Sequence, residues 1–292
     1  THFINEQHVF NYPNTTIPRL PLDDLERPLP PVQTFERSTA TVEEILTARI
    51  TTGGCVIKNA ASATSLAAIE EDIRPYIEKD RAWTETSSQA RPAASQASLR
   101  NQKPSLKPSS SIPSTKKSAW SQGSGSASRF GDSHTIPSQL LASEYDIHKE
   151  IEIGYFVASK KTIRGNGATR FIPGSHLWSP SSPPSKSLTV YAELEPGDGF
   201  LILGSCFHGG SANSTTDEER LVYRCFMTKG FLRQEENQYL LNGWEKLREW
   251  YGVEALKMLG WGISDPYMGW VDFKSPLMAM GVEDYRKENA GV

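Results

Sequence analysis

The chain reads as a mainly β protein with flanking helices, a double-stranded β-helix barrel of the jelly-roll or cupin-like kind. Three observations predict it. Short apolar runs recur at a spacing of roughly 10 residues from position 151 onward, and Gly- and Pro-containing turns separate them. The chain has 292 residues, 37% of them hydrophobic, enough to bury one sizeable core. Helical periodicity is confined to the two flanks.

Taken in order, residues 1–40 are Pro-rich and irregular and read as an N-terminal arm; 41–292 read as the barrel domain. Thr41-Val42-Glu43-Glu44 fits a capping box opening a short helix through Ile45 and Leu46. Gly53-Gly54 breaks the chain before Cys55-Val56-Ile57, a short buried strand. Leu66, Ile69, Ile73 and Ile77 repeat near helical spacing and predict a second helix, with Pro75 a candidate kink. Strands are predicted at 151–158, at 169–172 before the turn Pro173-Gly174-Ser175-His176, at 188–191, at 200–203 after Pro196-Gly197-Asp198-Gly199, and at 221–227. The tail predicts a helix from about Asn242 to Leu259, amphipathic through Trp244, Leu247, Tyr251 and Leu256. It is followed by an extension with Trp261, Tyr267, Trp270 and Phe273, so 242–292 forms a C-terminal unit on the barrel.

Residues 87–128 differ from the rest. They contain no acidic residue, about a third are serine, and apolar periodicity vanishes. Such a segment buries too little apolar surface to offset its lost chain entropy. A linker of roughly 40 residues inside a compact domain is unusual, which suggests that something normally ordered has been replaced.

Net charge is -3 and the isoelectric point about 6.1, which gives no basic field for nucleic acid. The basic tract at 91–117 lacks the interleaved aromatics of a single-strand binder. There is no run of 18 apolar residues, so no membrane span is expected, and the first residues carry no secretory pattern. Cys55, Cys206 and Cys225 sit in apolar runs without metal-like spacing, and their odd number favours buried, reduced thiols in a cytoplasmic protein.

For chemistry, His208 stands out. It follows the apolar run 201–207, precedes Gly209-Gly210, and so falls at a strand end where a barrel mouth would lie. Arg220 comes twelve residues later, at the start of the next strand. A jelly-roll iron site needs two neutral imidazoles and a carboxylate on one face of the metal, the first two ligands from a His-x-Asp/Glu unit and the distal His from a later strand. An arginine beyond it can grip the far carboxylate of 2-oxoglutarate. His148-Lys149-Glu150 matches His-x-Glu in isolation, but it immediately precedes the strand from Ile151 and reads first as a solvated, charged strand entry.

The run Asn166-Gly167-Ala168-Thr169-Arg170-Phe171-Ile172-Pro173-Gly174-Ser175-His176 resembles the signature of phytanoyl-CoA dioxygenase-like enzymes. The runs 207–213 and 230–238 resemble the fungal branch, the Fe(II)/2-oxoglutarate dioxygenases of meroterpenoid and alkaloid metabolism. The resemblance is strong over about 145–275, moderate over 41–83, and fails over 87–128. It implies Fe(II) and 2-oxoglutarate as cofactor and cosubstrate, a polycyclic terpenoid or alkaloid substrate, His208 as distal iron ligand, Arg220 as 2-oxoglutarate anchor and Thr169 near the cosubstrate. His176 reads as a turn-stabilising side chain, and Asn166-Gly167 as a turn that aims the following strand.

Against that pattern, the family interval back from His208 reaches Phe130-Gly131-Asp132. Asp132 is retained as a metal ligand while Phe130 stands in place of the first His, and a phenyl ring has no lone pair to donate. His134 is one replacement ligand; His148 with Glu150 is another. Decay of the segment, a misread splice or frame, and an evolved insertion all account for 87–128, and all predict a poorly formed metal site. Three functions follow: an impaired or non-catalytic partner subunit, pairing as a homodimer or with an intact paralogue through the region 262–272; a working dioxygenase with a replacement His; or a barrel that binds a small molecule without chemistry.

Overall fold

The computed structural model describes residues 28–79, 145–178, 184–232, 238–265 and 267–282. The capping box forms as predicted. Thr41 Oγ1 accepts from the Glu44 N–H at 3.2 Å, and Glu44 Oε2 accepts from the Thr41 N–H at 2.9 Å, opening helix α1 (Val42–Thr52). Gly53, at φ 76°, ends α1 and turns the chain into strand β2 (Gly54–Lys58). Only glycine fits there: a Cβ would lie 2.8 Å from both Cys206 Sγ and His176 Nδ1.

β2 pairs in parallel with β1 (Thr34–Glu36) and antiparallel with β6 (Gly199–Leu203). Part of the stretch expected to be an irregular arm is thus a strand at the sheet edge. β6 pairs with β3 (Glu152–Ala158), and β3 with β8 (Val222–Thr228), giving the order β1-β2-β6-β3-β8. A second sheet places β4 (Arg170–Phe171) between β5 (Val190–Tyr191) and β7 (His208–Gly209). The two sheets share one core. Val56, Phe156, Phe200 and Ile202 from the first pack with Phe171 of the second and with Ala192 and Leu194, which follow β5. The Phe171 and Phe200 rings lie 4.9 Å apart. This is the mainly β jelly-roll architecture the sequence predicts.

Strand alternation decides what each face of the larger sheet meets. Val157, Leu221 and Tyr223 pack against Leu66, Ile69 and Ile73 of helix α2 (Ala63–Lys79), while Phe156 and Val222 turn to the shared core. α2 continues through Pro75 rather than ending there.

The predicted 242–259 helix is broken. α3 (Gln238–Asn242), α4 (Trp244–Trp250) and α5 (Val253–Leu256) replace it. Gly243 takes φ 70° and Gly252 an extended conformation, so neither continues the ladder of hydrogen bonds. Gly260, at φ 87°, then kinks the turn Lys257–Trp261. With α6 (Pro276–Ala279), these pieces close on their own small core of Leu247, Leu256, Trp261, Leu277 and Met280. Cys55 and Cys206 are buried and Cys225 half-buried. Among the described residues no helix is long and apolar enough to cross a membrane.

Candidate functional site

His208 opens β7 in register opposite Phe171. Paired residues on neighbouring strands share a face; Phe171 is in the core, so His208 is directed to the barrel interior. Its Nδ1–H donates to the Cys206 carbonyl at 2.8 Å, which leaves the lone pair on Nε2. The turn carrying that carbonyl is itself fixed. Ser175 Oγ accepts from the Phe207 N–H at 2.8 Å, and the Cys206 thiol donates to the Ile172 carbonyl at 3.2 Å. The Pro-Gly-Ser-His motif therefore acts as a bracket for the His208 turn. Burial lowers the His208 pKa, helped by the nearby Arg224 charge and opposed by the bond to Cys206. A neutral imidazole with its orientation set is what a metal ligand requires.

Arg220 lies just before β8. Alternation along this strand gives Leu221 and Tyr223 to the α2 side, Val222 to the core, and Arg220 and Arg224 to the interior. Burial, then the charge of Arg224, lowers the Arg220 pKa to about 10. The loop before Arg220 is held from several sides. Asn166 Nδ2 donates to Glu218 Oε2 at 3.1 Å, Asn213 Nδ2 donates to the Glu218 carbonyl at 2.7 Å, and Glu219 pairs with Arg74 at 2.7 Å and also with Lys160. The turn expected at Asn166-Gly167 is present, with Gly167 at φ 99° and a Cβ there only 2.7 Å from the Ser211 carbonyl. Thr169 is buried immediately before β4, its carbonyl accepting from the Ala192 N–H at 2.8 Å.

His148 and Glu150 go elsewhere. His148 is exposed in a short 3-10 turn, Ile147–Lys149, and its carbonyl accepts from Lys229 Nζ. Glu150 Oε1 accepts from Tyr145 Oη at 3.1 Å and from Ser205 Oγ. Burial raises the Glu150 pKa despite those bonds. Beside it, His176 Nε2–H donates to the Ile50 carbonyl at 2.8 Å, and burial pushes its pKa down to about 4. Among the described residues no group of three or more His, Cys, Asp or Glu is placed to hold a metal ion, so His148, Glu150 and His208 do not form one. Asp132, His134 and Phe130 lie outside the described residues.

A cavity of about 20 Å³, the room of about one water, lies beside His208 against Arg170, Lys186, Thr189 and Phe207. A wider cleft of about 460 Å³ between Arg164, Arg170, Tyr191, Ser211 and Ser214 includes neither His208 nor Arg220. The residue whose charge acts on both His208 and Arg220 is Arg224, which motif reading overlooked. Its signal was present: Arg220, Val222 and Arg224 share the period of two that puts them on one face of a strand.

Comparison with known proteins bears on the same stretch. Residues 142–222 match the family described as phytanoyl-CoA dioxygenase (PhyH). The chain is 45% identical over 156 residues to the dioxygenase himG of Aspergillus japonicus, covering 50% of this chain and 48% of that protein. It is 40% identical over 153 residues to the dioxygenase peniF of Penicillium patulum, covering 52% and 49%. The dioxygenase swnH1 of Arthroderma benhamiae is 28% identical over 279 residues, 84% of this chain and 87% of that one. The match to the first two spans about half their length. Among solved structures, the α-ketoglutarate-dependent epimerase SnoN from nogalamycin biosynthesis aligns with a TM-score of 0.37 at 16% identity, over 63% of this chain and 81% of that one.

Proposed function

We propose, from the premise that the second half of this chain belongs to the phytanoyl-CoA dioxygenase-like family of fungal dioxygenases, that it is an Fe(II)/2-oxoglutarate dioxygenase-type barrel impaired as a catalyst on its own. The observation that carries the reading is a half-built site. The described residues fit the distal half: a neutral His208 imidazole with Nε2 as its donor, and the interior Arg220 guanidinium for a carboxylate. The proximal half rests on sequence, where Asp132 remains and Phe130 replaces an imidazole.

When bound, Fe(II) and 2-oxoglutarate supply the oxidising chemistry for a C–H bond of the organic substrate. The chain's own contributions are positioning. The Cys206 carbonyl holds the His208 tautomer, Arg220 orients the cosubstrate's far carboxylate, with Thr169 beside it, and the aromatic core excludes water. The substrate class is a polycyclic terpenoid or alkaloid of secondary metabolism, and the protein works in the cytoplasm.

A partner chain completes the reading. Tyr267, Met268, Trp270 and Phe273 are exposed, Phe273 to 92%, on a C-terminal unit that has its own small core. Exposed aromatics and Met of this kind suit a homodimer or a heterodimer with an intact paralogue. If the chain purifies only as a monomer and leaves a paralogue's activity unchanged, the partner role is wrong.

The test of the metal site is anaerobic Fe(II) titration of the purified chain with 2-oxoglutarate, following the visible charge-transfer band. The expected result is no band at one equivalent for the natural sequence and a band after Phe130→His. A band in the unaltered protein overturns the impaired reading and directs attention to His134 as the replacement ligand of an active oxygenase. Small-molecule binding indifferent to both iron and 2-oxoglutarate favours a barrel without chemistry.

A further inference from the structure

The His208 imidazole carries its proton on the nitrogen that an isolated side chain does not favour. In water a neutral imidazole holds the proton mainly on Nε2, whereas here Nδ1–H donates to the Cys206 carbonyl at 2.8 Å. That carbonyl belongs to the peptide unit joining Cys206 to Phe207, and a peptide unit is one rigid plane. The plane's other polar end is the Phe207 N–H, which donates to Ser175 Oγ at 2.8 Å. One serine hydroxyl therefore grips the plane that His208 leans on, from the opposite end. Turning the plane to aim the carbonyl away from the imidazole pulls the N–H off Ser175.

The serine is itself held firmly. It is fully buried, and its Oγ also meets Cys206 Sγ at 3.3 Å. Its neighbours tie the turn to the C-terminal end of α1: the Gly174 N–H donates to the Thr52 carbonyl, and His176 Nε2–H to the Ile50 carbonyl, both at 2.8 Å. On the other side the Ile172 N–H donates to the Phe207 carbonyl at 2.9 Å. Cys206 and Phe207 are buried as well, so removing the serine oxygen takes the acceptor from an N–H that water does not reach. A line of contacts thus runs from α1 through residues 174–176 to one peptide plane, and ends on His208 Nδ1.

Resting on the reading of His208 as the distal ligand, we infer that Ser175 is its positioning residue: by fixing the Cys206–Phe207 peptide plane, the hydroxyl keeps the His208 proton on Nδ1 and the Nε2 lone pair available. Once the plane is released, the proton redistributes towards Nε2 by exchange with water. The nitrogen a metal needs is then the protonated one, and the ring loses the bond that orients it.

The experiment is long-range proton–nitrogen correlation NMR of the full chain, labelled at the histidine ring nitrogens, above neutral pH and in EDTA. The His208 signals are assigned by their loss in His208→Gln. In the unaltered chain they are expected to show Nδ1–H with an unprotonated Nε2. Ser175→Ala is expected to shift that ratio about tenfold towards the Nε2–H form, the size of one buried hydrogen bond. Ser175→Thr, which keeps a hydroxyl, holds the original pattern, and so does His176→Gln, which disturbs the same turn but leaves the serine in place. The inference is overturned if folded Ser175→Ala keeps the original pattern, or if His176→Gln changes it as much, which reduces Ser175 to a brace of the turn. Should Ser175→Ala not fold, Ser175→Cys, with a thiol as the weaker acceptor, is read by the same two criteria. The reading of His208 as a ligand fails separately. In a Phe130→His background, Ser175→Ala is expected to weaken Fe(II) binding with 2-oxoglutarate by about tenfold or more. A changed tautomer with unchanged iron affinity keeps the positioning role and removes His208 from the metal site.

Discussion

Two polar clusters meet at the turn that carries His208, and burial treats them differently. On one side Tyr145, Glu150, Ser205, Ser175, Cys206 and His176 bond to one another or to backbone carbonyls. On the other, Arg220 and Arg224 share the interior with His208. In the first cluster burial shifts each titratable group towards its neutral form: Glu150 and Tyr145 upward, Cys206 up to about 12, His176 down to about 4. In the second it lowers Arg220 only to about 10, so the guanidinium keeps its charge at neutral pH. The intrinsic pKa decides which groups surrender charge on burial. The first cluster ties the turn together as a scaffold; the second keeps guanidinium charge inside the barrel.

Breaking the core that supports both clusters has the largest effect. Phe200 is fully buried and touches the rings of Phe156 and Phe171. Phe200→Ala is expected to cost about 3–5 kcal/mol in a denaturant melt, from lost transfer energy and the cavity left behind. Anion binding and the His208 geometry should then fail together.

The scaffold cluster can be separated by pH. Unfolded His176 titrates near its ordinary 6.5 and the folded residue near 4, so its contribution is complete above 6.5 and is lost as pH falls towards 4. The loss amounts to about 3 kcal/mol at about 1.4 kcal/mol per pKa unit. His176→Gln should flatten that acid slope while leaving the neutral-pH binding of 2-oxoglutarate intact. Glu150 has the opposite sign. Its raised pKa means that the ionisation cost is absent below 4.5 and grows as pH rises through the shifted value. Glu150→Gln, measured by thermal melts across that range, should abolish the rising cost; the lost acceptor at Ser205 or Tyr145 offsets the gain by about 1 kcal/mol. A Glu150→Gln protein with an unchanged pH profile refutes the scaffold assignment.

The same division shows what could be read from the sequence. The strands and the capping box were legible because each rests on a local pattern: alternation or a three-residue spacing. Glu150 was misleading because His-x-Glu spacing says nothing about partners at Tyr145 and Ser205, the second of them 55 residues away. The tail helix was overextended because amphipathic spacing persisted across Gly243 and Gly252, and two glycine conformations outweighed it. Arg224 was legible in principle. It belongs to no motif, and its significance comes from the register that sets it opposite Phe156.

The smallest expected effect probes how the charged cluster is held. Glu219 precedes Arg220 and pairs with Arg74 of α2 and with Lys160, all three side chains roughly a third exposed. Pairs so exposed contribute about 1 kcal/mol or less after solvent screening. Glu219→Gln should therefore barely move the melting transition. If the pairing nevertheless sets the direction of Arg220, 2-oxoglutarate binding weakens in Glu219→Gln and in Arg74→Gln alike, and the double variant is no worse than either single one, because both remove the same contact. Additive losses in the double variant mean that the two residues act independently, and that the ion pair decorates the loop without aiming the guanidinium.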